Sequence, residues 1–442
     1  MGGRQLHFGY NVLFDGMHPA AWRLPGSDPV GALTPEQWSH ITKVAERGTL
    51  DAVFLADSPS LMGDPAKGPG LAYDPTVLLS FLAGQTERIG FIATISSTYE
   101  EPYNLARRVL SLDRLSHGRA AWNVVTGVDA GAAANFSARP HLSRAERYQR
   151  AEEFTDVVTA LWDSWEPDAI VADQVTGLFA DPEKVHKINH HGIHFDVEGP
   201  LNVPHSPQGR PVLFQAGGSP PGLELAARHA DGVFASLGTI KQARAYSDDL
   251  RRRAVKHGRR ADSIRVMPGL SYVLGSTEAE ARARYELLNE IAGEDRREWI
   301  AWQLGVDPDE LAWEEPLPAS LLEGTELSAN GSQGAREIVV NIARDNRELT
   351  LRQLAERVLT WHRLFVGTPE QLADDLQEWF EAGVVDGFNL MPDVNPSGIE
   401  LFVDHVVPIL RERGLFRHEY AGTTLRDHLE LAEVGSPERI AV

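Results

Sequence analysis

Short hydrophobic runs alternate with longer amphipathic segments along most of the chain. The runs have the length of buried strands, and the segments between them carry apolar residues at helical spacing, a pattern typical of strand–helix units around a parallel sheet. We predict eight strands, at residues 6–12, 52–56, 89–95, 119–125, 211–216, 232–236, 264–273 and 387–391. Eight such units predict an α/β fold of the (β/α)8 TIM-barrel type, whose chemistry lies at the carboxyl ends of the strands.

The segments between the strands predict helices and two insertions. Helical patterns cover residues 34–48, 74–83, 102–115, 143–162, 223–229, 240–257, 277–291, 351–365, 369–382 and 398–413. Residues 165–209 contain the alternating run 194–198, which predicts an excursion with a hairpin. Residues 292–350 are charged and weakly periodic. We therefore expect one domain, 1–442, with insertions at about 165–209 and 292–350 and a C-terminal tail at 415–442.

Composition limits the partners and the compartment. The 442 residues carry a formal net charge of −21, which would repel nucleic acid and an anionic membrane, so neither is an expected partner. The absence of cysteine excludes disulfides and thiolate metal sites. The sequence has no signal-peptide pattern at its start and no apolar window of about 18 residues, so we expect a cytoplasmic protein.

The stretch PVLFQAGGSPPGLELAARHA, residues 211–230, joins a predicted strand to a helix through a tight glycine-containing loop. A helix start leaves backbone N–H groups free and its dipole favours an anion. Gly217 and Gly218 lack a Cβ, so a ligand can approach the backbone there, and Ser219 can cap the helix and donate a hydroxyl. These features predict a phosphate cradle. An ordinary strand-to-helix turn is the alternative that this stretch leaves open.

Several other chemistries do not fit the polar residues. Glycoside hydrolysis needs two facing carboxylates, whereas only Asp57 and Asp393 lie clearly at predicted strand ends. The histidines within residues 186–194 fall in the excursion and outside any helix, which favours a polar hairpin, and we expect no metal site. The loop at Ser219 misses the G-x-S-x-G pattern of serine hydrolases. A redox cofactor held by its phosphate remains, because it needs polar strand ends and an anion cradle.

Motifs along nearly the whole chain carry a family pattern. They are FDGMHPAAWR, DAVFLAD, ATISSTYEEPYNLARRVLSLDRLSHGRAAWNVVT, NFSARPHLSRAERYQRAEEF, LWDSW, FADPEKVHKINHHGIHFDVEGP, SPQGRPVLFQAGGS and DGFNL. In these motifs the chain resembles the FMN-dependent monooxygenases of the bacterial luciferase-like superfamily, in the branch of nitrilotriacetate, dibenzothiophene sulfone and long-chain alkane monooxygenases. The closing GTTLRDHL looks most like the sulfone monooxygenase subgroup.

The resemblance implies a cofactor site and a substrate side. The implied FMN-binding residues are Asp57, Thr94, Asn123, Arg144, Tyr148, Gly217, Gly218 and Ser219. The catalytic candidates are His18, Asn123 and His141, and Trp22 and Tyr99 are further candidates for the substrate side. Relatives commonly have a histidine four residues before the tyrosine of this R-Y pair, where this chain has Arg144. Either Arg144 supplies charge for the phosphate or His141 replaces the missing histidine as donor.

The resemblance also implies an activity and partners. A separate NAD(P)H-dependent flavin reductase would supply FMNH2, which with O2 inserts one oxygen atom into a small organic substrate, such as an organosulfur compound of the sulfone type. The family habit is a homodimer or homotetramer. Two other functions stay open: a deazaflavin-dependent dehydrogenase on the same barrel and a non-catalytic flavin-binding protein.

Overall fold

The computed structural model describes residues 4–61, 64–66, 68–70, 73–127, 130–136, 142–323, 333–358 and 362–434. Its strands are β1 His7–Val12, β2 Ala52–Leu55, β3 Gly90–Ser96, β4 Ala120–Val125, β5 Ile170–Asp173, β6 Leu178–Ala180, β7 His190–His191, β8 Asp196–Val197, β9 Val212–Ala216, β10 Gly232–Phe234, β11 Arg265–Val266, β12 Gly269–Leu274, β13 Arg363–Gly367 and β14 Gly387–Pro392.

The helices are α1 Pro35–Arg47, α2 Pro75–Ala83, α3 Pro102–Leu115, α4 Ala130–Asn135, α5 Arg144–Trp162, α6 Pro220–His229, α7 Ile240–Lys256, α8 Glu278–Ala292, α9 Glu294–Leu304, α10 Ala319–Glu323, α11 Gln333–Asp345, α12 Leu351–Arg357, α13 Pro369–Glu381, α14 Ser397–Leu401, α15 Val407–Glu412 and α16 Leu425–His428. A π-helical turn, Phe402–Val406, joins α14 to α15. Among the described residues, no helix is both long and apolar enough to cross a membrane.

Ten parallel strands form one curled sheet, in the order β11-β10-β9-β4-β3-β2-β1-β14-β12-β13. The predicted seventh strand is interrupted at Pro268 and becomes β11 and β12. It bonds to β10 on one side, where the Met267 N–H donates to the carbonyl of Val233, and to β14 on the other. The sheet therefore closes on itself, and the predicted (β/α)8 barrel is confirmed.

One predicted helix is wrong in part. The helical pattern at 351–365 ends at Arg357 as α12, and Arg363–Gly367 is instead β13, which pairs in parallel with β12. The reason is tertiary: β10 ends at Phe234, so the later residues of β12 have no neighbour on that side of the barrel until β13 supplies one. The short helix α4 was also absent from the sequence prediction.

The segment 165–209 forms two hairpins, β5 with β6 and β7 with β8. Glu153 of α5 fastens the second hairpin, because its carboxylate accepts hydrogen bonds from the backbone N–H groups of Ile193, His194 and Phe195. The His190 ring nitrogen also lies 3.0 Å from this carboxylate. Across the described chain, no group of three or more histidine and acidic side chains could hold a metal ion.

The C-terminal tail closes the amino end of the barrel. Leu425 and Leu429 of the tail are fully buried against the first residues of the central strands. Arg426 makes an ion pair of 3.1 Å with Asp231, and both side chains are largely buried. The GTTLRDHL motif therefore packs against the amino ends of the strands, at the opposite end of the barrel from the one where chemistry is expected.

Candidate active site

A cavity of about 2330 Å³ opens at the carboxyl end of the barrel. Its walls come from the ends of β2, β3, β4 and β9, from α5 and α7, and from the helices that follow β12. Eight of the predicted site residues line it: Asp57, Thr94, Asn123, Arg144, Tyr148, Gly217, Gly218 and Ser219. Parallel strands end at the same edge of the sheet, which is why residues so far apart in sequence meet here.

The predicted substrate-side residues are placed less uniformly. Tyr99 lines the cavity, where its ring stacks on Phe136 at a centroid distance of 4.7 Å. Trp22 is not among the lining residues, and His141 lies outside the described residues. His18 is 1% exposed and does not line the cavity, but it contacts Asn289, which does.

His18 is held in one neutral form. The Ala20 N–H donates to its Nδ1, so Nε2 carries the proton and donates to Asn289 Oδ1 at 3.2 Å. Burial, together with the nearby charge of Arg296, lowers the pKa of His18 to about 3. Its assignment as a catalytic residue stays a prediction, and the geometry makes it a fixed hydrogen-bond donor at neutral pH.

Two hydroxyls meet at the start of α6. Tyr148 Oη lies 3.2 Å from Ser219 Oγ, and Ser219 is the N-cap of α6, accepting from the Gly222 N–H at 3.3 Å. Pro220 and Pro221 follow directly, so the first two helical positions have no N–H to offer an anion. The cradle is therefore smaller than the sequence suggested, and it depends more on the hydroxyls and on the loop backbone.

The loop backbone before α6 is open to a ligand. A Cβ added at Gly218 would meet no atom within 4 Å, so the chain there faces empty space. At Gly217 the Tyr246 hydroxyl donates to the backbone carbonyl at 3.3 Å, and burial raises the pKa of Tyr246 so that it keeps its proton. Tyr246 thus fixes the loop at Gly217, whereas the backbone at Gly218 is open to a ligand, as an anion site requires.

Positive charge comes from the first two turns of α5. Arg144 lines the cavity beside Tyr148, and Arg147 is buried one turn along the same helix. The Arg147 guanidinium donates to the carbonyl of Leu142 at 2.7 Å, which fixes its position. The two arginines repel each other, and burial with this repulsion lowers the pKa of Arg147. An anion between them and the hydroxyl pair would relieve that repulsion.

Polar side chains at the ends of β3 and β4 face the same space. Asn123 Nδ2 donates to Thr94 Oγ1 at 3.0 Å, which fixes the amide. Asn123 Oδ1 is buried and has no hydrogen-bond partner among the described residues. Buried polar atoms are almost always bonded, so this oxygen fits a ligand that carries a donor, such as a ring N–H of reduced flavin.

Asp57, at the end of β2, is a carboxyl with an unusual protonation equilibrium. Burial, and secondarily the charges of Asp74 and Glu100, raise its pKa to about 6. It therefore holds a proton for part of its population near neutral pH. A carboxyl of this kind can accept or donate a hydrogen bond to a bound cofactor.

Aromatic rings form the base of the cavity. The ring centroids of Phe54 and Phe234 are 5.3 Å apart. Phe234 stacks on His362, with ring centroids 4.8 Å apart and ring planes 8° from parallel. Burial lowers the pKa of His362 to about 3, so this ring is neutral and behaves as a flat apolar surface. Such a floor suits a flat heteroaromatic ring and keeps water away from it.

Sequence reasoning missed several lining residues. Arg147, Tyr246 and His362 were not identified as site residues, and neither were Arg296 and Gln303 of α9. Arg147 stood in a quoted motif, directly before Tyr148, and could have been found there. Tyr246, Arg296 and Gln303 lie on helices, and His362 directly precedes β13. No local pattern shows which of these side chains face the barrel.

Known proteins resemble this chain over most of its length. The family model described as luciferase-like monooxygenase matches residues 15–386. N-acetyl-S-(2-succino)cysteine monooxygenase from Bacillus subtilis (strain 168) is 42% identical over 433 residues, which is 97% of each chain. Nitrilotriacetate monooxygenase component A from Aminobacter aminovorans is 42% identical over 445 residues, again 97% of each. The crystal structure of DmoA from Hyphomicrobium sulfonivorans is 32% identical with a TM-score of 0.86, covering 97% of this chain and 92% of that one.

Proposed function

Because the chain belongs to the luciferase-like monooxygenase family and is a flavin-dependent monooxygenase, we propose that it is the oxygenase of a two-component system that takes reduced FMN from a separate NAD(P)H-dependent flavin reductase. In the reaction FMNH2 supplies two electrons, one atom of O2 enters the substrate and the other leaves as water. The reductase meets the oxygenase transiently or releases flavin that diffuses to it. We further propose a homodimer or homotetramer.

The single observation that carries the proposal is the convergence of the predicted FMN residues on one cavity. Tyr148, Ser219 and the Gly218 backbone would hold the FMN phosphate, with Arg144 and Arg147 supplying charge. Asn123 and Thr94 would contact the polar edge of the ring, because the free Oδ1 of Asn123 needs a donor. Asp57 would lie beside them with its raised pKa.

The protein's further contribution is to exclude water and other reactions from the ring. Phe54, Phe234 and His362 present apolar faces to the cavity, and the neutral His362 adds no charge there. A dry environment around the bound cofactor would favour transfer of oxygen to the substrate over reduction of O2 to hydrogen peroxide. Asn123 and His18 remain our candidates for contacts near the reacting atoms, His18 through Asn289. His141 is retained as a candidate on the sequence resemblance alone.

We propose a small organosulfur compound as the substrate class. One relative at 42% identity is named for N-acetyl-S-(2-succino)cysteine, a thioether, whereas another at the same identity is named for nitrilotriacetate, which has no sulfur. Sulfur oxygenation is favoured because two further relatives, at 38% and 35% identity, are named for dibenzothiophene sulfone and dimethyl sulfide. Because nitrilotriacetate is an amine, oxygenation of an amine is the competing outcome when a panel of substrates is tested.

The test is reductase-coupled turnover in ¹⁸O₂ with a panel of thioethers, sulfones, tertiary amines and alkanes. We expect one ¹⁸O atom in the product of a sulfur compound and oxygen uptake above the peroxide background. Uptake that never exceeds that background with any compound would favour a non-catalytic flavin-binding protein. A parallel titration with reduced deazaflavin tests the dehydrogenase alternative, which needs tighter binding of the deazaflavin than of FMNH2.

A further inference from the structure

The helices after β12 contribute a wall to the cavity, and this wall contains two buried polar side chains that the flavin contacts do not use. Arg296 is 2% exposed and Gln303 is 1% exposed, and both line the cavity. We propose that Arg296 and Gln303 form a subsite for a carboxylate of the substrate. The inference rests on the proposed function, because it names the class of substrate that the same cavity would accept.

Gln303 carries the argument. Its Oε1 and Nε2 are both buried, and neither has a hydrogen-bond partner within the described part of the chain. Native proteins satisfy nearly all of their buried polar groups, and an amide left without partners is costly. An amide that lines a cavity and lacks protein partners is therefore a place where the polar atoms of a ligand fit.

Arg296 supplies the charge. It precedes Gln303 by seven residues on α9, so both project from the same face of the helix, two turns and about 10 Å apart. The Arg296 guanidinium donates to the backbone carbonyls of Ala355 and Val358, which fix it against α12. These carbonyl oxygens are neutral acceptors that fix the position of the guanidinium, and Glu356 is a nearby acidic group whose charge acts on it.

Arg296 contributes a buried positive charge to this wall. The acidic side chains that line it, Glu286, Glu290, Asp345 and Glu356, are all exposed. Solvent screens exposed charges far more than buried ones. The cavity therefore attracts an anion here, although the whole chain carries a net charge of −21.

The donor set identifies the ligand group. The amide N–H of Gln303 donates to a carboxylate oxygen, and the positive charge of Arg296, about 10 Å along the same helix, attracts that carboxylate electrostatically. The amide oxygen of Gln303 can accept from an N–H or O–H beside the carboxylate. We thus expect substrates in which a carboxylate lies next to an amide or hydroxyl. Sulfonates share the anionic chemistry, and the test below separates them.

The test measures binding to the flavin-free, full-length protein by titration calorimetry. The probe is N-acetyl-S-methylcysteine, which has a carboxylate, an amide N–H and a thioether, and its control is the neutral methyl ester. We expect the acid to bind at least about tenfold more tightly than the ester. N-acetyltaurine, a sulfonate with the same amide, should bind more weakly than the acid. Equal affinities for acid and ester, or no binding of the acid, would overturn the proposal, as would tighter binding of the sulfonate.

The variant Gln303→Leu separates a ligand contact from a structural role. It should weaken acid binding at least about tenfold, leave ester binding unchanged, and keep or raise the melting temperature, because it removes two buried polar atoms without partners. Gln303→Glu should weaken acid binding further by repulsion. A lowered melting temperature in Gln303→Leu would show that Gln303 bonds to the protein itself, and unchanged acid affinity would equally refute the subsite.

Turnover distinguishes failure of the subsite from failure of the proposed function. The parent chain and Gln303→Leu are assayed with the acid and the ester under reductase-coupled conditions. If both compounds are oxygenated equally by the parent chain, the subsite is wrong and the monooxygenase stands. If no sulfur compound in the wider panel is oxygenated, the proposed organosulfur function fails, whereas the calorimetric result for the carboxylate remains valid.

Discussion

Replacing Ser219 with alanine tests whether the start of α6 binds the flavin phosphate. The change removes a hydroxyl that lies 3.2 Å from the Tyr148 hydroxyl and that also caps the helix. A hydrogen bond to a charged group contributes about 1.5–3 kcal/mol, so the Kd for FMNH2 should rise roughly 10- to 150-fold. Turnover at saturating flavin should change little, because Ser219 is assigned to the phosphate and not to the reacting atoms. Anaerobic fluorescence titration gives the Kd, and coupled oxygen uptake gives kcat.

Loss of the cap must be separated from loss of the phosphate contact. A helix cap contributes about 1 kcal/mol to stability, so Ser219→Ala should also lower the free energy of unfolding by about that amount. Thr368→Ala is the matched control: Thr368 caps α13 by accepting from the Gln371 N–H, and it does not line the cavity. It should lose similar stability and keep the parent affinity for FMNH2. If both variants keep that affinity, or if both lose it equally, the phosphate assignment is refuted.

Three further predictions concern other parts of the molecule. Because the pKa of Asp57 is raised to about 6, the folded chain binds a proton between about pH 4 and 6 that the unfolded chain releases, and stability falls as pH rises through that window. Asp57→Asn should therefore raise the free energy of unfolding by about 1 kcal/mol at pH 8 and not at pH 4, and equal effects at both would contradict this. With its pKa lowered to about 3, His18 should stay neutral with the proton on Nε2 from pH 5 to 8, as histidine NMR spectra would show. A change in the protonation of His18 within that pH range would contradict this prediction. Arg426→Ala leaves Asp231 buried without its ion pair, so urea unfolding should show a free energy of unfolding lower by about 3 kcal/mol. Arg413→Ala, which removes an exposed ion pair, should lower it by less than about 1 kcal/mol. Similar losses in the two variants would disprove the stabilising role of the tail.

The barrel could be predicted because each strand is a separate apolar run. Burial on both faces makes such runs visible in the sequence, and parallel pairing then brings their carboxyl ends together. That single inference placed Asp57, Thr94 and Asn123 in one cavity. The strand β13 could not be predicted this way, because its pairing with β12 depends on where β10 ends.

The candidate site was predictable where its residues follow a strand or lie in a family motif, and hidden where they come from other helices. Ser219 was found from the strand–loop–helix pattern and Tyr148 through a family motif, and their hydroxyls are 3.2 Å apart. The effect of Pro220 and Pro221 on the anion cradle was readable from the sequence, since neither has an N–H, and it was overlooked. Arg296 and Gln303 lie in a weakly periodic segment, and only the packing of α9 against α12 turns them toward the cavity. No local pattern encodes that packing.

Anaerobic equilibrium titration of the parent chain with FMNH2 tests the central claim, that this cavity is a site for reduced FMN. The same titration with reduced deazaflavin serves as the comparison. We predict saturable binding of about one FMNH2 per chain and much weaker binding of the deazaflavin. Absence of saturable FMNH2 binding, or tighter binding of the deazaflavin, would contradict the account.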